Sequence, residues 1–150
     1  MMSSAFLKPA AQAQQGTALI TNASAGINAT YARRLAQRGF DLCLVARNRL
    51  RLKTGRAIWT MGTDLLDQDV LLSDADQLSV DDTIIMLVND IGVIAPGTSL
   101  NGDVDRLEAM IQLNVVAATC LAVEGERALA ARGHGTIINI APGLALSPEP

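Results

Sequence analysis

The stretch TNASAGIN, residues 21–28, joins a short apolar run to a segment with the spacing of an amphipathic helix. The run, TALIT (17–21), has the length and composition of a buried β-strand. After the turn, Ile27, Tyr31 and Leu35 follow one another at intervals of four residues, until a glycine ends the pattern. The stretch therefore predicts a strand, a turn and a helix, in that order.

The rest of the chain repeats this alternation of strands and helices. Four further apolar runs have strand character, namely DLCLVA (41–46), AIWTM (57–61), IIMLV (84–88) and TIINI (136–140). A long helix is expected from Asp103 to about Ala131, because apolar residues line one face of it. The alternation predicts an α/β fold with a parallel sheet of about five strands. Only ten residues, Arg47 to Arg56, separate the second and third strands, so any helix between them should be short.

Composition and charge limit the classes of function. Hydrophobic residues make up 49% of the 150 residues and charged residues 18%, which suits one globular domain, residues 16–150, after a flexible arm, residues 1–15. The net charge of −3 offers no basic field for nucleic acid. The N-terminus lacks the pattern of a secretion signal, and no uninterrupted apolar run reaches the roughly 18 residues of a membrane span. We therefore expect neither nucleic acid nor a membrane as a partner.

The two cysteines, Cys43 and Cys120, lie in apolar stretches with no metal-ligand or redox spacing. They are expected to be reduced core residues of a cytoplasmic protein. His134, the single histidine, is flanked by glycines and fits an exposed loop better than a base or a ligand. The sequence predicts no metal site.

Four segments, in order along the chain, resemble the short-chain dehydrogenase/reductase family. TNASAGIN is similar to that family's TGxxxGIG turn, and VNDIG (88–92) is similar to its NNAG segment after the fourth strand. MIQLNVVA (110–117) resembles the helix that carries a catalytic Asn, and GTIINIAP (135–142) resembles the fifth strand, which normally ends in a catalytic Ser. The resemblance covers Gly16 to Pro148. It implies a Rossmann-like, doubly wound fold, of which this chain is the cofactor-binding part, truncated on the C-terminal side.

The resemblance implies a nicotinamide dinucleotide as cofactor, and NADP rather than NAD. Arg47 follows the second strand, where the family has an acidic residue for a ribose 2′-hydroxyl or an Arg for a 2′-phosphate. Asp64 resembles the Asp that meets the adenine amino group. Taken alone, Arg47 would be a solvated cation and Asp64 a helix cap. The cofactor-binding residues implied by the resemblance are Asn22, Ser24, Gly26, Ile27, Arg47, Asp64, Leu65, Asn89 and Gly92.

Two asparagines replace glycines of the turn, with different consequences. Asn22 is a tolerable replacement, because Asn adopts the left-handed backbone region more readily than other non-glycine residues. Gly26 is retained, so the amides around Gly26 and Ile27 can face a phosphate at the helix N-terminus. Asn28 adds a side chain where the third glycine permits close packing, so it should obstruct the strand or the phosphate and weaken binding. Alternatively, both asparagines cap the turn and the first helical residues through hydrogen bonds.

Most of the catalytic residues that the resemblance implies are missing. The family uses a Ser to orient the substrate oxygen, a Tyr with a Lys as general acid/base, and an Asn that supports a proton-relay water. Asn114 is the one candidate present, and it could equally be a helix residue bonded to a neighbouring strand. Pro142 occupies the Ser position, and no Tyr-x-x-x-Lys occurs in the sequence. Asp90 and Ile91 add a carboxylate and bulk to the NNAG-like segment, which oppose a tightly fitted anionic ligand.

Two functional hypotheses result. The first is an NAD(P)-dependent oxidoreductase of this family, acting on a small carbonyl or alcohol substrate and represented by its cofactor-binding half. The second is a catalytically inactive Rossmann remnant that binds nucleotide weakly or pairs with other chains, because the departures fall on ligand and chemistry and spare the apolar pattern. The long helix and the uncovered edge after the fifth strand also predict a homo-oligomer.

Overall fold

The computed structural model describes residues 15–23, 26–45, 56–61, 64–93 and 103–141, which form one parallel sheet covered by helices on both faces. The strands are β1 (Thr17–Thr21), β2 (Asp41–Val45), β3 (Ile58–Met61), β4 (Ile84–Asn89) and β5 (Thr136–Asn139). The helices are α1 (Gly26–Gln37), α2 (Gln68–Val80), α3 (Val104–Ile111) and α4 (Ala118–Arg132), with a π-helical turn (Gln112–Ala117) between the last two. The strand order is β3-β2-β1-β4-β5, and every neighbouring pair is parallel. The predicted α/β, Rossmann-like sheet of five strands is confirmed.

The element boundaries lie within a residue or two of those expected from the apolar pattern. β3 begins at Ile58 and β5 ends at Asn139, one residue inside the predicted run in each case. The predicted long helix is present as one uninterrupted helical segment, Val104–Arg132, and its hydrogen-bonding pattern changes from α to π and back in the turn Gln112–Ala117. The segment 46–55, where a short crossover was expected, and residues 1–14 of the predicted arm lie outside the described residues.

Helix α2 precedes β4, and a side chain caps its N-terminus. The Asp67 carboxylate accepts hydrogen bonds from the backbone N–H groups of Asp69, at 3.0 Å, and Val70, at 3.4 Å. An N-terminal carboxylate satisfies amides that the helix itself leaves unpaired and interacts favourably with the helix dipole. The cap fixes where α2 begins, and its buried face, which includes Leu71 and Leu78, then packs on the sheet.

Successive side chains of the central strands alternate between two hydrophobic cores, as the two-residue period of a strand requires. The core on the α1 side contains Ala18, Ile20, Leu42, Leu44, Val88, Ala32, Leu35 and Ala36. The core under α2 and α4 contains Leu19, Cys43, Val45, Leu87, Leu71, Leu78 and Leu121. The three central residues of β1 (18–20) have no exposed surface, so this strand is buried on both faces.

Helix α4 lies close to the sheet because a glycine faces β4. A Cβ atom at Gly125 would lie 2.8 Å from Cδ2 of Leu87, which is fully buried. At the end of the same helix, the Arg132 guanidinium donates hydrogen bonds to the carbonyl oxygens of Leu78, at 2.6 Å, and Ile84, at 3.0 Å. These bonds join the end of α2, the start of β4 and the end of α4.

Several large apolar residues are exposed along the helical segment Val104–Arg132. By length and composition this segment could cross a membrane, with a mean hydropathy of 1.4 over its most apolar stretch, and only 11% of that stretch is buried. The expectation concerned uninterrupted apolar runs, and it holds for this segment, because polar and charged residues such as Asn114 and Glu124 interrupt it. The exposed apolar residues are Val104, Ile111, Val115, Val116 and Val123.

Cys43 is a buried thiol in the core under α2 and α4. Both cysteines are free, as expected, and Cys43 is 1% exposed, whereas Cys120 is partly buried. The Cys43 thiol donates to Sδ of Met61 at 3.4 Å. Burial disfavours the thiolate and raises the pKa of Cys43 from 9.0 to about 12. The thiol is therefore protonated, and unreactive as a nucleophile, at neutral pH.

The raised pKa of Cys43 predicts a loss of stability at alkaline pH. Up to about pH 9 the thiol is protonated in both states; above it the unfolded chain gains stability by ionising while the folded chain stays protonated until about pH 12. Between about pH 8 and about pH 10, ionisation of this thiol in the unfolded chain alone lowers the free energy of unfolding by about 1 kcal/mol. The stability gap between the wild type and Cys43→Ala, measured by urea unfolding, should narrow by that amount. The matched core variant Leu42→Ala should show a constant gap, and a constant gap for Cys43→Ala would contradict the account.

Candidate functional site

The carboxyl ends of β1 and β4 lie side by side at the point where the sheet changes direction. From β1 the chain proceeds to β2 and β3 on one side, and β4 and β5 lie on the other. The Thr21 hydroxyl accepts a hydrogen bond from the Asp90 N–H at 2.8 Å and donates to the Val88 carbonyl at 3.4 Å. Ligands of open parallel sheets bind in the crevice outside such a switch point. Thr21 is not among the site residues predicted from the sequence. The feature that could have indicated it is a hydroxyl residue at the end of a buried strand.

The two residues on either side of the turn after β1, Asn22 and Gly26, have the positive φ angles expected of a phosphate-binding turn. Asn22 has a φ of 50°, and among the residues that the structure describes it is the one non-glycine residue with a positive φ. Gly26, with a φ of 63°, is the first residue of α1. Apart from its chain neighbours and its own helix backbone, no heavy atom of the described residues lies within 4 Å of the place where its Cβ would be. The N–H groups of a first helical turn have no partners within the helix, so they are available to an anion. Ile27 beside them is 59% exposed.

Asn28 does not obstruct the space outside the turn. Its side chain is 1% exposed, and its Nδ2 donates a hydrogen bond to the Asn22 carbonyl oxygen at 3.3 Å. Its Oδ1 is buried and has no hydrogen-bond partner. The side chain is directed into the protein, and its bond to Asn22 is of the kind that the capping alternative describes. The weaker cofactor binding expected from Asn28 stays a prediction.

The segment after β4 is held by side chains that the family resemblance assigned to the cofactor. Asn89 is 4% exposed, and its Nδ2 donates to the Ala118 carbonyl at 2.9 Å and to Oδ1 of Asn139 at 3.1 Å, which joins β4, α4 and β5. Ile91 is partly buried and packs on the core under α2 and α4. Asp90 is half-buried beside Thr21.

Asn114 lies in the π-helical turn and binds the backbone of Val93 at both ends of its amide. The Val93 N–H donates to Oδ1 of Asn114 at 2.8 Å, and Nδ2 of Asn114 donates to the Val93 carbonyl at 2.9 Å. The Asn114 Oδ1 also lies 3.7 Å from the position of a Cβ on Gly92. A π-helical turn changes the angular position of the residues that follow it and often marks a functional site. Asn114 is thus bonded to the segment that follows β4 and not to a strand, and its catalytic role stays a prediction.

The remaining residues predicted to bind the cofactor or to occupy the Ser position are in part described by the structure. The Asp64 carboxylate accepts from the Leu66 N–H at 3.2 Å, so Asp64 stabilises a turn before α2, whereas Asp67 is the helix cap. Leu65 is partly buried and packs on the core under α2 and α4. The other three candidates, Ser24, Arg47 and Pro142, lie outside the described residues.

The described residues contain no cluster of three or more His, Cys, Asp or Glu side chains that could hold a metal ion. His134 is exposed, and its Nδ1 lies 3.1 Å from the Arg132 carbonyl oxygen at the end of α4. In the described part, the polar groups at the switch point are amides, the Thr21 hydroxyl and the Asp90 carboxylate.

Comparison with known proteins shows which family shares this sequence and fold. The family model described as short chain dehydrogenase matches residues 16–150. A solved structure of a short-chain dehydrogenase from Sphingobium yanoikuyae in complex with NADPH is 36% identical, with a TM-score of 0.84, over 89% of this chain and 56% of that one.

Two curated human proteins are also similar. The 17-beta-hydroxysteroid dehydrogenase type 3 is 28% identical over 89% of this chain and 46% of its own length. The inactive hydroxysteroid dehydrogenase-like protein 1 is 28% identical over 89% of this chain and 44% of its own length. The chain thus spans about half the length of the proteins that it matches. With the turn after β1, the switch point and the family match in agreement, the chain belongs to the short-chain dehydrogenase family, of which it represents the N-terminal part.

Proposed function

We propose that this chain is the dinucleotide-binding half of an NAD(P)-dependent oxidoreductase that acts on a carbonyl or alcohol substrate. The observation that carries the proposal is the turn after β1. There Asn22 has a left-handed conformation, Gly26 leaves the approach to α1 open, and the turn lies at the β1–β4 switch point. The reaction class is proposed from the family, and the binding site is proposed from these backbone angles and from the strand order.

The described residues fit such a cofactor in two places. The pyrophosphate would be held by the unpaired N–H groups at the start of α1, around Gly26 and Ile27. The nucleoside nearer the nicotinamide would lie along the segment Asn89 to Gly92, where Ile91 packs on the core under α2 and α4. When bound, the cofactor supplies or receives the hydride.

NADP is the cofactor that we favour over NAD. Arg47 follows β2 in the sequence at the position where the family discriminates a 2′-phosphate from a 2′-hydroxyl. An Arg supplies a planar, charged fork for phosphate oxygens and gives no acceptor for a ribose hydroxyl. The similar Sphingobium protein holds NADPH, which supports the same choice.

The proton chemistry of such a reaction is not carried by the residues at this site. Both polar atoms of Asn114 are bonded to Val93, so its side chain positions the segment after β4 rather than touching a substrate. Pro142 stands at the Ser position, and the one tyrosine, Tyr31, is in α1. A catalytically inactive nucleotide-binding module is the second candidate, and the inactive human relative favours it.

We propose a homo-oligomer as the assembled state. Val104, Ile111 and Val115 are exposed at intervals of seven and four residues, which places them on one face of the helical segment. A second copy related by a two-fold axis presents the same apolar stripe, so each copy buries the other's. The two free thiols support a reducing compartment, and we propose the cytoplasm.

Binding of NADPH is the direct test of the proposed function. Titration of the protein into NADPH should give a saturable change in cofactor fluorescence. Arg47→Ala should weaken NADPH binding about tenfold or more and leave NADH binding nearly unchanged, because only NADPH has the 2′-phosphate. Arg38→Ala, at an exposed position after α1, is the matched control. No saturable change up to millimolar cofactor would contradict the proposal.

NADPH oxidation with a panel of carbonyl compounds would exclude the inactive alternative.

Removing the Asn114 amide should loosen the segment after β4. Asn114→Ala loses both bonds to Val93, and we expect the free energy of unfolding to fall by about 1 to 3 kcal/mol. Asn114→Asp keeps the acceptor and loses the donor, so its loss should be smaller. Thr119→Ala, at an exposed position on α4, should be nearly neutral. Equal stability of Asn114→Ala and the wild type in urea unfolding would show that the pair of bonds contributes nothing.

The assembly proposal predicts a dimer or larger species in sedimentation velocity at micromolar concentration. Val115→Glu places a charge in the apolar stripe and should give the monomer, whereas Glu126→Gln, exposed on α4, should not. Monomeric wild type would contradict the proposal, and so would recovery of the protein on lipid vesicles instead of in a soluble oligomer.

A further inference from the structure

The turn after β1 contains a hydrogen bond that its sequence motif does not assign. The Asn28 side chain, in the first turn of α1, reaches back to the carbonyl oxygen of Asn22, the residue that leaves β1. Asn22 is in the left-handed region, which disfavours side chains. The bond therefore joins the beginning of the helix to a residue in the left-handed backbone region.

Packing alone does not account for an asparagine at position 28. The side chain is 1% exposed, and its Oδ1 has no partner, so the fold bears the cost of a buried acceptor without a hydrogen bond. A glycine or an alanine would avoid that cost. What asparagine adds, and neither of them can supply, is the Nδ2 donor to Asn22.

We propose that Asn28 is a positioning residue for the dinucleotide. By holding the Asn22 carbonyl, it fixes the end of β1 relative to the start of α1, where the N–H groups of Gly26 and Ile27 would meet a phosphate. Asn22 and Asn28 thus act as a pair in place of two glycines, with a hydrogen bond replacing close packing of helix against strand. This inference rests on the proposed function, because the ligand that it positions is the proposed cofactor.

The positioning role and the obstruction expected from the motif predict opposite results for Asn28→Gly. If Asn28 obstructs the phosphate, the glycine restores the family's turn and binding tightens. If Asn28 holds the turn, the glycine removes the donor, the turn must be ordered on binding, and the Kd for NADPH rises about three- to tenfold. The control is Ala29→Gly, which introduces a glycine one residue later in the same helical turn, where the side chain has no polar group.

A second variant separates the hydrogen bond from the shape of the side chain. Asn28→Asp keeps the shape and, as a carboxylate, cannot donate to Asn22, so it should weaken binding at neutral pH as Asn28→Gly does. A protonated carboxyl group can donate, and burial raises a carboxyl pKa. The affinity of Asn28→Asp for NADP⁺, relative to the wild type, should therefore recover as the pH falls. A role in packing alone gives no such recovery.

The measurements are the Kd and the melting temperature of each variant. Weaker binding of Asn28→Gly and Asn28→Asp, with Ala29→Gly near the wild type in Kd, supports the proposal. Unchanged or tighter binding of Asn28→Gly overturns it.

Hydrogen exchange of the Asn28 side-chain amide in the wild-type protein tests the bond without a variant and without a cofactor. Slow exchange of one Nδ2 proton supports the bond, and free exchange of both protons overturns the proposal. If the wild type binds no NADPH, the proposed function fails, and this exchange measurement still decides whether Asn28 holds the turn.

Discussion

The structure depends on the burial of β1, which is paired on both edges and covered on both faces. Its neighbours are β2 and β4, and its three central residues, 18–20, have no exposed surface. A strand in this position can lead only into a turn at its carboxyl end, and the helix that follows must return over one face of the sheet. The location of the turn, the approach of α1 and the neighbouring end of β4 all result from this constraint. The candidate site lies where they meet.

At that site the chain uses amide side chains to hold the backbone. Asn28 binds the Asn22 carbonyl, and Asn114 binds both polar groups of Val93. Asn89 links β4 to α4 and β5. Each of these side chains fixes a segment that borders the crevice and uses its donor within the protein. The described part of the site is therefore a set of backbone segments held by amide side chains, which agrees with the proposed function, in which these residues hold a cofactor.

The sequence predicted the fold well because its signals are local and strong. Five apolar runs became five parallel strands, and the left-handed conformation expected at Asn22 is present. The inward turn of Asn28 was not predicted, because whether a buried amide obstructs or caps depends on where its rotamer finds an acceptor. The Val93 contact of Asn114 depends on a π-helical turn, which leaves no mark on the apolar period. Asp64 and Asp67 are both acidic residues before α2, and only the backbone geometry distinguishes the turn residue from the cap.

The central claim is that a dinucleotide binds at the carboxyl ends of β1 and β4, on the turn that Asn22 and Gly26 form. The most direct measurement is a titration of the ¹⁵N-labelled protein with NADP⁺, followed through the backbone amide resonances. The account predicts that the amides of Gly26 and Ile27 shift most, together with those of Asn89 to Gly92, and that they saturate with a single Kd. Shifts that avoid these amides and concentrate elsewhere, for example on the outer face of Val104–Arg132, would contradict it.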